Sequence, residues 1–201
     1  MKTSNQINKV QVLKKSVVST LLLMSFFTFL SCNNDDPTIV NEEELITTVT
    51  IVLKNGEQTI TLKSTDLDGL GPNKPVQSIT GTIYTNTVYT GTVTFLNELI
   101  TPADNITEEV LTEGVDHQLF FQAPAALGSF AYADTDANSK PIGLQFTFTT
   151  GSTAASGNLT ATLKHEPNKS AFGVSGGSIS NAGGETDAEV TYSIQTLAKS
   201  I

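Results

Sequence analysis

Two short acidic stretches carry the residue types most able to do chemistry. The stretch STDLDGLGPN contains Asp66 and Asp68, and YADTDANSKPIG contains Asp134, Asp136 and Asn138 at alternate positions. Alternating carboxylate and amide oxygens in a tight loop are what a hard cation such as calcium requires. The pattern is incomplete, because a full calcium loop would have glycine at the sixth position and a bidentate glutamate at the twelfth. Here those places hold Ser139 and Gln145. A site built on Asp66, Asp68, Asp134, Asp136 and Asn138 would therefore bind weakly. The alternative is that the same side chains cap turns by accepting hydrogen bonds from their own backbone. The chain has two histidines, His117 and His165. Each falls in phase with an apolar alternation at the end of a strand pattern, as a packed edge histidine would. Their separation in sequence does not by itself make them converging metal ligands.

The stretch GVSGG, residues 173–177, has the spacing of a nucleophile elbow. That motif needs a strand before it, a helix after it and a downstream histidine. Here SISNAGG follows and both histidines lie upstream, which leaves a glycine-rich loop. No catalytic residue is expected.

The single cysteine, Cys32, sits where an apolar run ends. Residues 17–30 are almost wholly apolar, and the basic head before them holds Lys2, Lys9, Lys14 and Lys15 with no acid. A basic segment, an apolar run too short to span a bilayer and a small residue before a cut describe a secretory signal. With Ser31 before Cys32, the junction resembles the lipobox of bacterial lipoproteins. That resemblance implies cleavage before Cys32 and covalent lipid on its thiol. The alternatives are a plain signal peptide with an incidental cysteine, or an uncleaved anchor. Acylation also accounts for a lone thiol in an oxidising compartment, and several acyl chains anchor firmly where one does not. Acids directly after the cysteine resemble the signals that route some lipoproteins to the outer membrane, although a mere spacer would read the same way. The expected organisation is a signal peptide at 1–31, a lipidated cysteine with a flexible acidic tether at 32–44, and a domain at 45–201.

Four of the 11 lysines precede Cys32 and none of the 20 acids does, so the remainder carries 7 lysines against 20 acids, a net charge of −13 with no arginine. Such a surface repels phosphate backbones and argues against nucleic acid as a partner.

The elements that would position these residues are strands. The chain has 30 threonines, many alternating with Val, Ile, Leu or Phe, and β-branched residues at period two are the strand signature. Asn55-Gly56 is a hairpin signal. A two-residue loop there pairs Lys54 with Glu57, Ile51 with Ile60 and Val49 with Leu62. Further strands are predicted at 77–84, 88–96, 117–122, 129–133, 142–150, 157–165 and 188–197. A short helix is expected from Asn105, with Asn105 and Glu108 as a capping-box variant and Gly114 as the stop. A long loop is expected from 170 to 187. About nine strands, each with one wet face, define an all-β fold. It is a single antiparallel β-sandwich, immunoglobulin-like or transthyretin-like in style.

The stretches NEEELITTVTIVL, DLDGLG, VYTGTVTFLNEL and LKHEPNKS with GGETDAEVTYSI together resemble a family of small bacterial lipoproteins labelled "type 1 periplasmic binding fold superfamily". The resemblance spans nearly the whole chain after Cys32 and is tied to no established chemistry. The label implies a two-lobed α/β sugar-binding architecture. The threonine-rich strands and the lack of alternating helices instead predict β. Lipid, tether and domain together suggest a binding module in the outer membrane, at the cell surface or the periplasmic face, as an accessory to a transporter protein there. The alternative is a structural or adhesive envelope module without a small ligand.

Overall fold

The computed structural model describes residues 45–69 and 71–199. These residues form two β-sheets and one helix of seven residues. The α/β architecture of the family label is not what the chain adopts.

The strands are β1 (Thr48–Asn55), β2 (Gln58–Thr65), β3 (Val76–Thr80), β4 (Ile83–Tyr84), β5 (Val88–Leu96), β6 (His117–Gln122), β7 (Gly128–Tyr132), β8 (Gln145–Thr150), β9 (Ala155–His165) and β10 (Glu185–Leu197), with α1 (Ile106–Thr112) between β5 and β6. One sheet has the order β3-β2-β1-β5-β8-β7 and the other β4-β10-β9-β6. All pairings are antiparallel except β4 with β10. Alternation builds the core between the sheets. In β5 every second residue is buried, so Tyr89, Val93 and Phe95 point inward and Thr90, Thr92 and Thr94 outward. Leu159, Ala161 and Leu163 of β9 and Tyr192 and Ile194 of β10 meet them in one apolar cluster.

The first hairpin forms where its sequence predicts, but two residues out of register. The pairs are Asn55 with Gln58, Leu53 with Ile60 and Ile51 with Leu62. The loop is therefore Gly56-Glu57, not Asn55-Gly56. Gly56 has φ +56° and Glu57 an ordinary φ, the type II′ pattern, whereas a type I′ turn needs positive φ at both loop residues. Packing decides the slip. It sets Leu53 against Ile60 and Ile51 against Leu62, all four fully buried, each worth about 1.5–3 kcal/mol. The predicted register would have left Leu53 opposite Gln58. A slip of two keeps every side chain on its face. No atom lies within 4 Å of where a Gly56 side chain would start, so only the backbone opposes substitution there. Gly56→Val should lower stability by about 1–3 kcal/mol. A urea titration with an unshifted midpoint would contradict the turn assignment.

The single strand predicted over 77–84 is two. β3 closes the six-stranded sheet, and the chain crosses at Gly81-Thr82 so that β4 joins the other sheet. The predicted strand over 142–150 begins only at Gln145, although Ile142 and Leu144 are buried. Helix α1 ends before Gly114 as expected. Asn105 does not cap its backbone; its amide donates instead to Glu108 Oε1 at 2.9 Å. The segment 166–184 is not a plain loop. Two 3-10 turns, Val174–Gly176 and Ile179–Asn181, fold it over the outer side of β6. There Val174 and Ala182 bury Phe120 in a second small core.

Candidate functional site

β9 and β10 pair Asn158 with Ser193 and Ser156 with Gln195. Because Leu159, Tyr192 and Ile194 turn inward, alternation sends these four polar side chains to the outer face. The β3–β4 crossover stands beside them, contributing Ile79, Thr82 and Ile83, and Leu197 closes the end. The result is a groove of about 670 Å³, a size that suits a small molecule. Among the described residues its lining has no charged residue, histidine or cysteine. Ser193 Oγ donates to Asn158 Oδ1 at 3.0 Å. The Asn158 and Gln195 amides each offer both donors and an acceptor, and Ile79 and Leu197 add exposed apolar surface. Such a lining can bind a neutral, hydroxyl-rich solute.

The two acidic loops do different work. Asp66 Oδ1 accepts the backbone N–H of Gly69 at 2.9 Å, and Asp68 Oδ2 accepts the side-chain and backbone N–H groups of Asn73. Those bonds, the backbone one foremost, hold the Asp68 carboxyl below its ordinary range. Asp134 accepts the N–H groups of Gly143 and Gln145 at 2.7 and 2.8 Å. Asp136 Oδ1 accepts those of Asn138 and Lys140, and its Oδ2 accepts Lys169 Nζ at 2.8 Å. Burial pushes the Asp136 carboxyl up, but Lys169 and the backbone donors outweigh it, so it titrates low. Asn138 contributes only a backbone N–H. In this structure the carboxylates of the loop cap turns, the alternative to a cation site, and Asp136 also carries the Lys169 ammonium group. Among the described residues no group of three or more His, Cys, Asp or Glu is placed to hold a metal ion. Cys32 lies outside the described residues.

The histidines, far apart in sequence, meet. β6 pairs His117 with His165 of β9, and their rings stack with centroids 4.9 Å apart. A β-bulge in β10 between Thr186 and Ala188 brings the buried Asp187 carboxylate to 3.5 Å from His117 Nε2. His117 Nδ1 faces the Glu113 carbonyl at 3.2 Å. Burial lowers the His117 pKa, and the Glu113 carbonyl and Asp187 only partly offset it. The unfolded chain therefore takes up a proton near the ordinary value of 6.5 that the folded chain refuses. Stability is full above that pH and falls as pH drops through it, levelling off once the folded ring titrates. The melting temperature should decline between pH 7.5 and 5, and His117→Gln should flatten that decline. A wild-type melting temperature constant over the interval would contradict the burial of a neutral ring.

Residues 173–177 form a 3-10 turn whose Val174 packs on Phe120, as expected of a loop and not of an elbow. Sequence gave no signal for Gln118, buried and donating to Tyr132 Oη and the Val174 carbonyl at 3.0 and 2.8 Å, nor for the burial of Lys169. Burial raises the Tyr132 hydroxyl to about 12. No family model matches the chain, and neither a curated protein nor a solved structure matches it.

Proposed function

We propose that the chain is an outer-membrane lipoprotein, anchored by lipid on Cys32, whose β-sandwich is a binding module for a neutral, hydroxyl-rich ligand. The observation that carries the binding role is the uncharged groove at Ser156, Asn158, Ser193 and Gln195. The anchor rests on the sequence around Cys32. The module would hand its ligand to a transporter protein in the same membrane, and no enzymatic step is assigned to it. A structural or adhesive role is the second reading. The outward threonines of β5, with Thr147 and Thr149 of β8, favour it by giving the larger sheet a smooth polar face.

Fractionation with acyl labelling, followed by a screen of neutral oligosaccharides, tests both halves. Cys32→Ser should release soluble protein and abolish labelling. Asn158→Ala with Gln195→Ala should remove oligosaccharide binding at unchanged melting temperature. Membrane retention and labelling in the Cys32→Ser chain would exclude the anchor. No binding across the screen, or binding indifferent to the groove variants, would favour the structural role.

A further inference from the structure

Apolar exposure in the sandwich is lopsided. The described chain begins at Leu45, at the end of the domain where β1 and β3 start and β2 and β5 stop. Thr47 ties three segments together there. Its backbone N–H donates to the Leu96 carbonyl at 2.9 Å, its carbonyl accepts the Asp66 N–H at 2.7 Å, and its hydroxyl accepts the Glu98 N–H at 2.8 Å. Leu45, Leu67 and Leu99 lie within two residues of that junction. With Ile100, each is more than half exposed. α1 follows on the same side, held by Thr107 to both backbone groups of Phe95, and adds exposed Leu111. Of the eight large apolar side chains more than half exposed among the described residues, Leu45, Leu67, Val76, Leu99, Ile100 and Leu111 lie in or beside connections that leave from this end, and Phe172 lies in the segment folded over β6. Among them Val88 alone marks the opposite end. Solvated loops have no reason to collect leucines on one side, whereas a docking surface does.

We infer that this end of the sandwich rests on a zwitterionic bilayer surface, with Leu45, Leu67, Leu99 and Ile100 entering the headgroup boundary. The inference rests on the lipid anchor proposed above. Residues 33–44 join Cys32 to Leu45, and 12 residues reach at most about 40 Å. An anchored chain therefore keeps this end close to the membrane, where even weak apolar contacts act at high effective concentration. The charge at this end selects the lipid. Asp66, Asp68, Asp104, Glu108 and Glu109 outnumber Lys74 in these connections, and Lys63 is already paired with Glu98 at 3.2 Å. That balance repels anionic headgroups and tolerates zwitterionic ones. The groove, at the Leu197 end of β10, would then point away from the membrane toward its ligand.

The chain contains no tryptophan, so a single introduced one reports without background. The acylated full chain would be placed in vesicles of phosphatidylethanolamine and phosphatidylcholine with brominated acyl chains. Tryptophan is introduced as Leu99→Trp, as Leu67→Trp in case the first disturbs the loop, and as Ser152→Trp at the far end. Quenching should be several-fold stronger for the first two than for Ser152→Trp. Leu99→Asp with Ile100→Asp should bring Leu67→Trp down to the far-end level. Co-sedimentation with vesicles but equal, weak quenching at all three positions would overturn the docking and leave the anchor. That result is also the one expected if this end seats a protein. Strong quenching of Leu99→Trp in a Cys32→Ser chain, added to the same vesicles in excess, would support docking independently of the anchor. Neither sedimentation nor quenching would overturn both.

Discussion

Lys169→Met is expected to cost about 3–5 kcal/mol, the loss typical of removing one partner from a buried ion pair. Lys169 is almost fully buried, and its ammonium group is satisfied on three sides by the Gly114 carbonyl, the Pro141 carbonyl at 3.0 Å and Asp136 Oδ2 at 2.8 Å. It thereby fastens the turn after α1, the connection between β7 and β8 and the segment 166–184 to one another. Methionine keeps the apolar stem but withdraws the donors. Asp136 is left as a buried carboxylate with only the Asn138 and Lys140 N–H groups, and two buried carbonyls lose a partner. Desolvation without compensation makes the cost large. Urea unfolding should show a lower midpoint at unchanged slope. Asp136→Asn should cost a similar amount, and the two together less than their sum, because each removes the other's reason for being charged. A loss below about 1 kcal/mol for Lys169→Met would mean that the ammonium group is solvated and clasps nothing.

Phe146→Ala should cost a comparable 3–5 kcal/mol. Phe146 pairs with Gly91 across β5–β8 and with Tyr132 across β7–β8. Its ring lies 4.2 Å from that of Phe121 and 5.9 Å from that of Phe130. It also lies over Gly91, where a side-chain carbon would come within 2.2 Å of its ring. Glycine in the middle of a strand is thus a close approach filled by an aromatic ring. Gly91→Ala alone should destabilise by about 1–3 kcal/mol through forced displacement of the ring. In the Phe146→Ala background the same change should be nearly neutral or restorative. Thermal unfolding of the four proteins closes that cycle. Strictly additive losses would show that ring and glycine do not share the space.

The strands were legible because their cause is local. Alternation in VYTGTVTFL and the short aromatic run of HQLFFQ place β5 and β6 at their observed bounds. The hairpin was legible as a hairpin, and its faces were right, because a turn residue and period two are written in consecutive positions. Its register was not, since choosing between two slips that keep the same faces depends on which pairs fill the core best. The split of 77–84 into β3 and β4 was also hidden: a strand that changes sheets has the same pattern as one that does not.

The candidate sites divide along the same line. The sequence by itself determined the all-β class, the acid excess, the placing of the paired carboxylates in loops and the setting of Cys32, since each is a property of composition or of near neighbours. Only the tertiary structure decided that His117 meets His165 and Asp187, that Lys169 is buried against Asp136, and that Ser156, Asn158, Ser193 and Gln195 share one groove. Those meetings join residues up to tens of positions apart. They are fixed by strand order, by a bulge and by the burial of the segments between them, and no local pattern carries that information.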